Sequence, residues 1–123
     1  MESLPIRRDF SIVVAGTSAH GATPHLGRDA IVAASAITVQ LQTVVSRVQD
    51  PLQPLKLTVR TVRAGKEYNI ICDRAELGGS LCAPDEAAFA RAAGEMERIA
   101  LRTAEGMGCT AALMFTGTKE ERS

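Results

Sequence analysis

The sequence predicts an α+β domain in which two helices cover one face of a four-stranded antiparallel sheet. Three observations carry that expectation. Period-2 alternation and period-3.6 apolar spacing succeed one another in the order strand, helix, strand, strand, helix, strand. Gly16, the pair Pro51 and Pro54, Gly65 and Gly108 punctuate the junctions between these stretches. And 123 residues, 46% of them hydrophobic, make a chain of single-domain size with apolar surface enough for one core.

Phe10, Ile12 and Val14 alternate with Ser11 and Val13 ahead of Gly16, the pattern of a strand closed by a residue that can turn. The stretch from Thr17 to Gly27 holds two glycines, a proline and both histidines, which marks a long loop where function concentrates. Asp29 then stands at the positive end of a helix whose apolar face is Ala30, Ala33, Ala34, Ile37, Leu41, Val44 and Val48. That helix should end near Asp50, because Pro51 and Pro54 cannot continue it. Leu55, Leu57 and Val59 alternate with Lys56, Thr58 and Arg60 in a half-buried second strand that stops at Ala64 and Gly65.

After a connection containing Lys66, Glu67, Tyr68 and Asn69, a third strand is expected from Ile70 to Leu81. Gly78 and Gly79 within it mark a bulge or a close backbone approach. Ala83, Pro84, Asp85 and Glu86 start the second helix, with Phe89, Ala92, Ala93, Met96, Ala100, Thr103 and Met107 along its buried face and Gly108 as its C-terminal cap. A last strand, Cys109 to Phe115, precedes a charged tail, Lys119 to Arg122.

This element order is the ferredoxin-like split βαβ arrangement, whose usual spatial strand order is 4-1-3-2. One domain is expected over residues 1–123, with its core in about 9–116 and no linker, repeat or low-complexity stretch. The start of the first strand and the end of the fourth then lie side by side, so both termini could join another domain. At the opposite end, the close of the first strand meets the opening of the third. His20 and Asn69 should converge there.

Composition excludes several function classes. Fourteen basic and fourteen acidic residues balance, and with no Trp, one Tyr and three Phe there is neither a basic field nor an aromatic platform for nucleic acid. No apolar run reaches the roughly 18 residues of a membrane span. Asp9 and Ser11 interrupt any secretory leader, so a cytoplasmic protein is expected. Cys72, Cys82 and Cys109 are an odd, widely spaced set that reads as reduced core or edge residues.

His20 and His25 sit five residues apart in a turn, but a zinc site needs three or four ligands and the chain has no H-E-x-x-H helix. Metal binding by this chain alone is therefore not expected. Ser18 lacks a strand-to-helix elbow and an orienting carboxylate, and the glycines do not form a phosphate cradle.

Taken together, the motifs resemble a known family. Gly16-Thr17-Ser18-Ala19-His20-Gly21-Ala22-Thr23-Pro24-His25, then Asp29-Ala30-Ile31-Val32-Ala33-Ala34-Ser35, then Leu41-Gln42-Thr43-Val44-Val45-Ser46-Arg47 with Asp50-Pro51, is similar to the dimerisation (lid) domain of hippurate hydrolases, aminoacylases and indole-acetyl-amino-acid hydrolases. Asn69-Ile70-Ile71-Cys72-Asp73 and Ala75-Glu76-Leu77-Gly78-Gly79-Ser80 continue the likeness in register, which runs roughly from Asp9 to Gly108. Ala19, Cys72 and Cys82 depart from it, standing where the family often has glycine, proline and a basic residue. No carboxylate contact is carried over to Cys82.

The resemblance implies one part of a metal-dependent N-acyl-amino-acid amidohydrolase, a zinc metallopeptidase relative acting on an N-acyl amino acid or small peptide. His20 would reach the partner subunit's active site and stabilise the oxyanion, and Asn69 would assist substrate binding. His25 would shape the loop. Two divalent ions, zinc by expectation, would sit in a catalytic domain absent from this chain, so the chain alone should be inactive. A homodimer is expected through the first helix and the second strand, an edge of the sheet, although Lys56 and Arg60 on that edge oppose pairing. The alternative is a free-standing ferredoxin-like module that binds a small molecule or regulates a partner.

Overall fold

The structure, a computed structural model, describes residues 4–18, 25, 27–45, 54–65 and 71–120, with 117–120 as backbone. Its elements are β1 (Ile6–Ala15), α1 (Ala30–Leu41), β2 (Lys56–Ala64), β3 (Arg74–Ala83), α2 (Glu86–Gly106) and β4 (Thr110–Glu120). All strand pairs are antiparallel, and the sheet runs β2-β3-β1-β4. This is the expected ferredoxin-like order.

Alternation decides what each strand buries. Phe10, Ile12 and Val14 of β1 and Ala75, Leu77 and Leu81 of β3 point to the helices and are buried, with Leu113 and Phe115 of β4 packed beside them. From α1 come Ala30, Ala33, Ala34, Ile37 and Leu41, and Val44 just beyond it, all on the face its spacing predicts. Val48 and Asp50 lie outside the described residues. From α2 come Ala88, Phe89, Ala92, Met96, Ile99, Ala100 and Ala104. Met107, expected on that face, is exposed because the helix has already ended. The three phenylalanines share one corner, Phe115 standing edge-on to Phe10 at 6.2 Å and to Phe89 at 5.1 Å.

Local signals set the helix ends. Asp29 accepts from the amides of Ile31 and Val32 at 2.9 and 3.4 Å, and Asp85 accepts from Ala88 at 2.8 Å. Gly108, at φ +72°, closes α2 with its amide donating to Glu105 and that of Cys109 to Ala104. This is the paired-bond termination that a left-handed glycine permits.

α1 closes at Leu41 rather than near Asp50, the Gln42 amide reaching back to the Val39 carbonyl at 3.2 Å as its C-cap, and three strand boundaries differ from the sequence expectation as well. β1 begins at Ile6, since Arg8 can enter the helix-covered face: its guanidinium lies 4.5 Å over the Phe89 ring and donates to both Glu86 oxygens at 2.8 and 3.0 Å. β4 continues to Glu120, into the expected charged tail, by pairing Lys119 with Arg7 and Glu120 with Ile6. β3 begins only at Arg74, because the carbonyls of Cys72 and Asp73 bond outside the ladder.

The glycine pair marks a close approach, and the bulge lies across from it. Arg60 is the extra residue of β2, between Val59 opposite Gly79 and Thr61 opposite Gly78. A Cβ on Gly79 would stand 2.0 Å from the Thr58 carbonyl oxygen and 2.8 Å from the Phe10 ring.

Candidate functional site

At one end of the sheet four segments are tied together by backbone bonds. Ala15 faces Arg74 as the last rung of β1 and β3, and the Gly16 amide then donates to the Asp73 carbonyl at 2.8 Å. Thr17 and Arg28 exchange bonds in both directions, at 2.9 and 2.7 Å, which closes the base of the loop between them. The Ala30 amide donates to the Cys72 carbonyl at 2.9 Å, fixing the start of α1 to the same place. Gly16 is required here: a Cβ on it would lie 2.0 Å from the Arg28 carbonyl oxygen.

His20 and Asn69 lie outside the described residues. Their flanks do meet at this tip, with His20 following Gly16 in the loop closed by Thr17 and Arg28, and Asn69 preceding Asp73. His25 and Ser18 are exposed.

The start of β4 completes the tip. Cys109 is buried beneath it, and burial pushes its thiol above the ordinary range; the Asp29 carboxylate acts in the same sense and Arg28 against it. Cys72, also buried, donates its thiol to the Arg74 carbonyl at 2.9 Å. Over the turn into β4 lies the Arg28 side chain, so close that a Cβ on Gly108 would be 2.5 Å from its Cδ. Cys109 is the reduced core residue the sequence predicts, whereas sequence reasoning passed over Arg28. The only trace Arg28 left was Gly108, a cap glycine beside which a long side chain can lie flat. Among the described residues, no three His, Cys, Asp or Glu side chains gather as a metal would need.

A four-stranded sheet with two helices on one face, its central strands β1 and β3 tied at one end to the bridge between Thr17 and Arg28, defines a small α+β module. The chain belongs to the peptidase dimerisation domain family, whose pattern it matches over residues 8–107. It is 42% identical over 73 residues to an N-acetyldiaminopimelate deacetylase of Bacillus subtilis, a match covering 59% of this chain and 20% of that protein. To the Bacillus pumilus protein of the same name it is 34% identical over 113 residues, covering 92% of this chain and 30% of the other. A solved structure from methicillin resistant Staphylococcus aureus, described as an aminohydrolase, superposes with a TM-score of 0.84 at 28% identity, over 94% of this chain and 34% of that one. The chain thus spans a fifth to a third of the length of these relatives.

Proposed function

We propose that this chain is the dimerisation (lid) domain of a metal-dependent N-acyl-amino-acid amidohydrolase and supplies His20 in trans to the active site of a partner subunit. The observation that carries the reading is the sheet tip, where the 2.8 Å bond from Gly16 to Asp73 joins the flanks of His20 and Asn69. Hydrolysis of an amide builds negative charge on the carbonyl oxygen. An imidazole N–H held by a rigid sheet can donate to that oxygen as the charge develops, and Asn69 can hold the substrate by its carboxamide. The relatives named for N-acetyldiaminopimelate deacetylation support an N-acyl amino acid as the substrate class.

In this reading the two divalent ions belong to another part of the polypeptide, because the chain has only two histidines, short of the three or four ligands a zinc site needs. The chain on its own is then inactive. A cytoplasmic enzyme is part of the same reading; among the described residues, no helix is long and apolar enough to cross a membrane.

For self-association we assign α1 with the turn after it, and β2. Ile31, Val32, Val39, Val45 and Val62 are large apolar side chains left exposed, and all five lie on this flank. β2 is an edge of the sheet, open to a twofold-related copy. Its Lys56, Arg60 and Arg63, together with the bulge at Arg60, oppose a long ladder there, so the helix carries more of the contact than the strand.

The reading is tested in the enzyme that carries this domain. Replacing His20 by Ala should lower kcat about 100-fold or more, the scale of one lost oxyanion donor, with metal content unchanged. Near-normal turnover would overturn the assignment.

A further inference from the structure

We propose that Arg28 is a positioning residue: laid across Gly108, its side chain anchors the base of the loop between Thr17 and Arg28 to the turn that joins α2 to β4. The two-way bond between Thr17 and Arg28 fixes where the loop leaves the sheet. That bridge, with the bonds from Gly16 to Asp73 and from Ala30 to Cys72, ties the loop base to β1, β3 and α1; the Arg28 side chain adds a tie to the turn before β4. Of the three Arg28 contacts, two stay at the loop base and one reaches the turn before β4. Its carbonyl seats against Gly16, where a Cβ would come within 2.0 Å, and its Nη1 donates back to the Gly27 carbonyl at 3.0 Å. Its stem covers Gly108, where a Cβ would meet Cδ at 2.5 Å, Nε at 2.6 Å and Cγ at 3.4 Å.

Gly108 suits this seat twice. Its φ of +72° is one that side chains rarely adopt, and the bare Cα leaves the groove in which the stem lies. Cys109, the next residue, senses the charges of both Asp29 and Arg28, so the start of α1, the loop base and the start of β4 form one cluster. The base of the loop, at Thr17 and Arg28, is therefore held by the turn after α2, far along the chain. Anchoring stands on these contacts alone; its consequence for catalysis rests on the proposed role of His20.

Amide hydrogen exchange on this chain tests the anchor. In Arg28→Ala, protection of the amides at Thr17 and at position 28, the two donors of the bridge, should fall about ten-fold or more, while Ile12 and Leu77 in the sheet keep theirs. Arg28→Lys should restore protection, because a lysine stem can also cover Gly108. In the enzyme carrying the domain, Arg28→Ala should lower kcat about ten-fold or more with KM little changed, as misplacement of a reacting group does, and Arg28→Lys should recover it. Wild-type protection at both amides in Arg28→Ala would overturn the proposal. Lost protection with unaltered kcat would uphold the anchor and count instead against a catalytic loop.

Discussion

Cys109 shows how one buried side chain makes the domain sensitive to pH. Burial, and then the Asp29 carboxylate, hold its thiol above the ordinary value. As pH rises past the usual thiol range, about 8.5, the unfolded chain gives up this proton first while the folded chain keeps it. Stability present below that range is therefore lost as pH climbs towards the folded value. The melting temperature should fall more steeply above about pH 8 in the wild type than in Cys109→Ala, as read by thermal denaturation at a series of pH values. Glycines make the same point about surroundings. Gly79→Ala drives a methyl into the Thr58 carbonyl and the Phe10 ring and should cost about 2–4 kcal/mol, seen as a lower denaturant midpoint. Gly94, inside α2, has nothing near the place of its Cβ, so Gly94→Ala should stabilise by about 0.5–1 kcal/mol.

At the scale of elements, the capping carboxylates are open to a direct test. Asp29→Ala removes the acceptor for two amides of α1 and should cost about 1 kcal/mol, measurable as a drop in melting temperature. Asp29 and the apolar faces of both helices were legible in the sequence, because caps and 3.6-residue spacing are local properties. Arg7, Arg8 and Lys119 hid the outer ends of β1 and β4. A charge in a strand reads as a break, and only the fold supplies Glu86 and Phe89 to receive Arg8. Ile71 to Asp73 read as strand from side-chain type alone, yet the carbonyls of Cys72 and Asp73 serve Ala30 and Gly16. For the site, connectivity predicted the meeting of β1 and β3 at Ala15 and Arg74. The Arg28 contact with Gly108 joins residues distant in sequence and has no periodic signature that could have announced it.

For the molecule as a whole, the two edges of the sheet differ. β2 carries Lys56, Arg60, Arg63 and a bulge, whereas β4 has no charged residue from Thr110 to Thr118. Under the assembly proposed above, the double variant Val39→Lys, Val62→Lys should shift sedimentation towards monomer with the far-ultraviolet circular dichroism unaltered. A persisting dimer would move the interface away from α1 and β2. The three cysteines, none in a disulfide and all buried, divide between the two ends of the sheet: Cys72 and Cys109 beside the loop, Cys82 opposite Arg7 and Lys56. An alkylating reagent can reach them only when the surrounding structure parts, so they are built-in timers of local opening. If the loop end frays ahead of the rest, Cys72 and Cys109 will be labelled while Cys82 stays protected; if the sheet melts as one body, all three will react at a common rate.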